Sequence, residues 1–196
     1  MYAMKKIYLV VCEGPSEVAY IQELNRYLDE NDYSFTFQTY CVGNGHYTAV
    51  KAKYDKARKD NRNTSINVWV DRDIYIRNDS GDKEKYANKP SGVVDFWFDD
   101  NNFEDFIAMH MEEELCQKWQ EICISHEHFE HPLTEEKYLP LFRDNIHADY
   151  QKGCMPFSIT TEVLRLALSR QNNPNIKFKS GFLGFLSSKL SDKSSD

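Results

Sequence analysis

From Lys5 onward, short apolar runs alternate with longer amphipathic stretches. Residues 5 to 12 predict a buried first strand, continuously apolar over Tyr8-Leu9-Val10-Val11-Cys12. Gly14 permits a sharp turn, and Pro15 and Ser16 suit the opening of a helix. Tyr20, Ile21, Leu24, Tyr27 and Leu28 then recur at helical spacing, predicting a helix that runs to Asn31-Asp32. Residues 34 to 42 alternate and are rich in β-formers, predicting a second strand closed by Gly43-Asn44-Gly45. A helix follows from about His46 to Asn61, with Tyr47, Val50, Tyr54 and Ala57 inward and its lysines outward. Ile66 to Val70 reads as a third strand that ends in Asp71-Arg72-Asp73.

Beyond it, Asn78 to Ser91 is polar and predicts a loop. Val93 to Phe98 reads as a fourth strand. One amphipathic helix is expected over Phe103 to Gln120, with Phe103, Phe106, Ile107, His110, Leu115 and Trp119 on one side. Ser125 to Pro140 reads as a second polar loop. A last helix begins near Thr160 or Thr161 and stops before Asn172-Asn173-Pro174. The tail from Ser187 is rich in Ser, Lys and Asp and is expected to fray. Strands alternating with helices predict an α/β fold: a mainly parallel, doubly wound sheet with helices on both faces. The division expected is a core over residues 1–125 and a C-terminal helical extension over 126–196 packed on it, with 187–196 frayed.

Composition narrows the class. At 196 residues the chain suits one domain, or one domain plus a small helical appendage. No apolar run approaches the roughly 18 to 20 residues that span a bilayer. The basic, apolar start is cut short by Glu13-Gly14-Pro15-Ser16-Glu17 and lacks a small-residue cleavage site, so a cytoplasmic first strand is the expectation. The five cysteines are odd in number, widely spaced and without Cys-x-x-Cys, which argues for reduced thiols. Cys12 and Cys41, at strand ends, read as small buried hydrophobes. A net charge of −7 argues against a simple nucleic-acid binder, but the charge is uneven. Asp99 to Glu136 holds twelve acids against Lys118 alone, whereas Lys51, Lys53, Lys56, Arg58, Lys59, Arg62 and Arg72 gather in one segment.

The chemistry sits at strand ends. Two buried strands finish in acid, the first at Glu13 and the third at Asp71 and Asp73. A carboxylate there is costly to desolvate without a cation or donors to meet it. The carboxyl ends of parallel strands are also where open α/β sheets bind ligands. Glu17, in the next helix's first turn, can face the same point. On an extended segment Asp71 and Asp73 would point the same way, with Arg72 turned from them. Taken singly, Glu17 reads as a helix-opening acid and each aspartate as a cap or turn residue. Together they read as a site for one or two Mg²⁺ or Mn²⁺ ions, hard cations that bring phosphate chemistry with them.

The order strand–Glu13-Gly14-x-Ser16-Glu17–helix, then strand–Asp71-x-Asp73, resembles the TOPRIM fold of topoisomerases, primases and OLD-type nucleases. The segment Trp97-Phe98-Asp99-Asp100-Asn101-Asn102-Phe103-Glu104-Asp105-Phe106, ending at His110, adds a third element. It is similar to the Asn-Pro-x-Phe-Glu-x-Trp-x-x-x-His segment of RloB-like proteins, a compact TOPRIM branch of defence and restriction loci. Phe106 replaces the usual tryptophan, and Asp100-Asn101 replaces Asn-Pro.

The resemblance implies a Mg²⁺- or Mn²⁺-dependent nuclease that hydrolyses DNA or RNA phosphodiesters, in phage defence or a restriction-associated locus. Glu13, Asp71 and Asp73 would form the catalytic centre, with Glu17 a second-ion ligand. Lys152 stands where such proteins carry a lysine able to neutralise developing charge. Glu104 reads equally as a group supporting the ligands and as a helix-opening acid. Lys51, Lys53 or Arg72 would steer the nucleic acid. The alternative is a regulated subunit held silent by an ABC- or AAA-type ATPase, docking through the acidic, aromatic stretch from Trp119 to Tyr138 and the tail. Self-association is open in either case. His126, His128 and His131 read as a solvated loop, and His110 as a packed core histidine.

Overall fold

The β-branched and aromatic runs become strands where the sequence pattern puts them. In this computed structural model, which describes residues 5–61, 64–73, 95–99 and 102–191, they are β1 (Lys6–Cys12), β2 (Phe35–Cys41), β3 (Ile66–Asp71) and β4 (Asp95–Asp99). They form one sheet in the order β2-β1-β3-β4, parallel throughout. The loop expected over 78–91, the first two residues of the fourth strand as expected, Asp100-Asn101 and residues 192–196 lie outside the described residues.

Both faces of the sheet are covered. Along β1, Tyr8, Val10 and Cys12 enter the larger core cluster, with Tyr20, Ile21, Leu24 and Leu28 of α1 (Pro15–Glu30). Leu9 and Val11 enter the smaller one, with Val50, Tyr54 and Ala57 of α2 (Tyr47–Asp60). Thus α1, which leads from β1 to β2, and α2, which leads from β2 to β3, pack on opposite faces. The winding therefore reverses between β1 and β3, and a crevice opens beyond their carboxyl ends. Among the described residues the fold is α/β, with a four-stranded parallel sheet and seven helices.

The helix expected over Phe103 to Gln120 is two, α3 (Phe103–Ala108) and α4 (Glu113–Ser125). A distant residue explains the break. Buried Arg170 donates from Nη1 to the carbonyls of Met109, at 3.0 Å, and Met111, and from Nη2 to Glu113 Oε2 at 2.8 Å. A continuous helix would spend those carbonyls on its own ladder. The polar stretch expected as a loop contains α5 (Glu135–Asn145), which tolerates Pro140 and buries Tyr138 and Phe142 one turn apart. Charged residues around that two-residue stripe masked its period.

After α6 (Thr161–Gln171), capped by Thr160 Oγ1 on Val163 N at 3.3 Å, comes a helix the sequence reading omits, α7 (Gly181–Ser191). Its ring of Phe182 stacks on Trp69, centroids 4.2 Å apart and planes 8° from parallel. A Cβ on Gly181 would come within 2.9 Å of Trp97 Cα, so only glycine allows so close an approach. Residues 187–191 are thus helical rather than frayed, because Phe182, Leu183 and Leu186 are buried in the main core. Cys12 is buried as expected, but Cys41 is exposed at the end of edge strand β2. No described helix is long and apolar enough to cross a membrane.

Candidate metal centre

Parallel pairing of β1 with β3 brings their two acidic ends together. Glu13 follows β1, and its Oε2 accepts the N–H of Asp71, the last residue of β3, at 2.9 Å. Glu17, in the first turn of α1, turns back so that its Oε2 accepts the N–H of Gly14 at 3.1 Å. Asp71 Oδ2 accepts the N–H of Phe103, at the start of α3, at 3.2 Å. Glu13, Glu17 and Asp71 each offer an oxygen to a group whose members lie within 4.8 Å of one another. They line a pocket of 290 Å³ with the Gly14–Ser16 turn, Gly43, Asn44, Phe103, Glu135 and Lys152. The loop after β2 presses on it closely: a Cβ on Gly45 would fall 2.6 Å from the Glu13 carboxylate.

Electrostatics mark the same spot. Burial, then the charge of Glu17, pushes the Glu13 carboxyl up to about 8; Asp73 adds to the rise, against the pull of the Asp71 N–H. Burial likewise raises Glu17 to about 7, although backbone donors and Lys152 oppose it. Asp71 is held well above the usual carboxylate range by burial and by Glu13 and Glu17. Glu13 and Asp71 keep part of their surface open to solvent while lying deep among neighbouring atoms, and Glu17 is closed off. Asp71 Oδ1 and Glu104 Oε2 are shut away from solvent and accept no hydrogen bond among the described residues. Three acids crowded together with an unmatched lone pair offer the oxygen donors that a hard cation could take.

Lys152 reaches this pocket from the segment after α5. Its Nζ donates to Tyr138 OH at 2.9 Å and to Glu135 Oε2 at 3.1 Å. Burial alone would lower its ammonium, but Glu104, Glu135 and Asp71 outweigh that and raise it. The segment is latched on three sides. Gly153 N–H donates to Ser16 Oγ at 3.0 Å, Tyr150 OH to Glu104 Oε1 at 3.0 Å, and Arg143 Nε to the Tyr150 carbonyl at 2.8 Å. Glu104 is fully buried behind the site, its carboxyl raised by burial against the pull of Lys152 and Tyr150. Ser16 enters the sequence reading only as a helix-opening motif residue and Tyr138 only as the end of a docking stretch, Glu135 and Tyr150 are absent from it, and only the tertiary fold brings the four here.

Other expected residues fall elsewhere. The strand ends at Asp71, Arg72 is a bend, and Asp73 has left the extended conformation, so the two aspartates do not alternate along one strand. Asp73 is felt at Glu13 as a charge. Lys51, paired with Asp55 at 2.5 Å, and Lys53 sit on α2; neither they nor exposed Arg72 lines the pocket. Trp119 and Tyr138 are buried in the core, so the stretch between them offers no aromatic docking face built on those rings. His110 is buried as expected, between Tyr20 OH and the Phe106 carbonyl, each 2.9 Å away.

His126 and His131 are exposed, but His128 is buried, contrary to the solvated-loop expectation. With Asp105 and Cys123 it makes a second cluster of metal-ligating types. Both ring nitrogens are engaged: Nδ1 accepts the Leu133 N–H at 2.8 Å, and Nε2 lies 3.2 Å from Asn102 Nδ2 and 3.3 Å from Asp105 Oδ2. Nδ1 thus takes a backbone donor, while Nε2 faces both an amide nitrogen and a carboxylate oxygen. Asp105 Oδ1 is also taken, by Trp119 Nε1 at 2.7 Å and Cys123 Sγ at 3.8 Å. Asp105 Oδ2 is shut away from solvent and accepts no hydrogen bond among the described residues, so this buried cluster too keeps an unmatched carboxylate oxygen.

Comparison with known proteins finds no matching family model, no matching curated protein and no matching solved structure.

Proposed function

We propose that the protein is a TOPRIM-like, Mg²⁺- or Mn²⁺-dependent phosphodiesterase of the RloB type, acting on nucleic acid. The observation that carries this reading is the convergence of Glu13, Glu17 and Asp71 to within 4.8 Å at the carboxyl ends of two adjacent parallel strands. Their oxygen-only donor set suits a hard cation, and the unmatched Asp71 Oδ1 gives it a ligand atom already desolvated. A bound Mg²⁺ or Mn²⁺ supplies charge neutralisation at phosphate oxygens and a more acidic attacking water.

The chain's own groups do the rest. Glu13 is fixed by the Asp71 N–H and by the closeness of Gly45, so it presents its carboxylate in one pose. Without a cation, burial and mutual repulsion hold the Glu17 and Glu13 carboxyls at about 7 and about 8, and a bound cation would draw both down to the ligating carboxylate form. Lys152, which lines the pocket, can meet negative charge building on a phosphate.

The test is incubation of pure protein with plasmid, single-stranded DNA and tRNA under Mg²⁺ and under Mn²⁺, beside a Glu13→Ala control. Cleavage is expected only from the wild type. Equal cleavage by the control would remove the assignment.

A further inference from the structure

Lys152 is already engaged by an acid that is poorly placed to keep it. Glu135, in the first turn of α5, accepts from Lys152 Nζ at 3.1 Å and lines the same pocket as Glu13, Glu17 and Asp71. The pair is loose in its setting: the Lys152 side chain is 34% exposed and that of Glu135 57% exposed. Exposed pairs of this kind are worth little, because water competes and two long side chains must be held in place. The other hydrogen-bond partner of the ammonium, Tyr138 OH at 2.9 Å, is buried and uncharged, and Glu104 and Asp71 act on the ammonium as charges without a hydrogen bond to it. Gly153, held by Ser16, and Tyr150, held by Glu104, fix the backbone on either side of Lys152. Exchange of partner therefore needs only Glu135 to swing out.

We propose that Glu135 is an internal stand-in for a substrate phosphate: it occupies Lys152 until a phosphodiester enters the pocket and displaces it. The inference rests on the phosphodiesterase reading and adds a selectivity element to it. A ligand without a phosphate beside Lys152 gains nothing to offset the lost Glu135 contact. Glu135 is thus a positioning residue that acts through Lys152.

The experiment is a double-mutant cycle on binding of a fluorescent single-stranded oligonucleotide in Ca²⁺, using wild type, Glu135→Gln, Lys152→Gln and the double variant. Glu135→Gln is expected to tighten Kd by about two- to fivefold, the range set by an exposed ion pair. Lys152→Gln should weaken binding, and adding Glu135→Gln to it should change nothing further. Under Mn²⁺, Glu135→Gln should lower KM with kcat unchanged, which a structural defect would not do. An unchanged Kd in Glu135→Gln, or an equal gain in the Lys152→Gln background, overturns the stand-in role and leaves metal-dependent cleavage standing. If no variant binds the oligonucleotide while Mn²⁺ still stabilises the fold, the substrate class is wrong and the inference falls with it.

Discussion

Glu13→Gln keeps the shape of the site and removes one charge. An amide oxygen can still accept the Asp71 N–H that Glu13 Oε2 takes at 2.9 Å, so the change isolates electrostatics. In the unfolded chain Glu13 ionises near 4.5, whereas in the fold its carboxyl stands at about 8. Between those values the folded state binds more protons than the unfolded one, so stability falls as pH rises through that window and levels off above it. Each pH unit of the gap is ~1.4 kcal/mol, which places the loss on the order of 3–5 kcal/mol, shared with coupled Glu17. The glutamine variant escapes it. In EDTA the two proteins should melt together near pH 5. At pH 9 the variant should melt higher by roughly 6–20 °C, given ~2–4 °C per kcal/mol for a chain of this length. Saturating Mn²⁺ should narrow that gap at pH 8, because it binds the wild type's three carboxylates more tightly than the variant's two. Melting by circular dichroism from pH 5 to 9, with and without Mn²⁺, checks this. Parallel curves in EDTA would refute the crowded-carboxylate account.

Asp71→Asn should abolish most of the Mn²⁺-induced rise in melting temperature, which for the wild type at a hundredfold excess over Kd corresponds to about 2.7 kcal/mol. An intact rise would move the metal elsewhere. Gly45→Ala puts a methyl 2.6 Å from the Glu13 carboxylate. It should weaken Mn²⁺ affinity roughly tenfold by calorimetry, as displaced supporting groups do, with the fold retained. Arg170→Met strips the carbonyls of Met109 and Met111 of their donor and should cost about 3 kcal/mol. Urea unfolding should show that loss as a lower midpoint with the slope unchanged.

The sheet and its acidic ends are legible in sequence because each depends on neighbours along the chain. Val10 and Val11 bury by local pattern, and parallel pairing then fixes where Glu13 must lie relative to Asp71. Glu17 follows from the first turn of α1. The rest depends on partners far away in sequence. Nothing near Met109 says that Arg170 will claim its carbonyl, so the break before α4 is invisible locally. His128 lies in a run of charged residues and is buried by Asp105, Asn102 and Leu133. Phe182, Leu183, Leu186 and Leu190 do recur at helical spacing, a signal that Gly181, Gly184 and the serines around it obscure, and Trp69 and Trp97 provide the surface Phe182 covers.

The stack of Phe182 on Trp69 also sets an order of events during synthesis. Trp69 and Trp97 leave the ribosome well before the helix that shields them has been made. Until Gly181 settles against Trp97, one side of the central sheet carries bare aromatic rings, the kind of surface that holdase chaperones grip and that drives nascent chains together. Closing that gap joins residues far apart along the chain, a slow kind of step in folding. Yield in the cell should therefore respond to slow codons placed between Trp97 and Gly181, although they leave the finished protein unchanged.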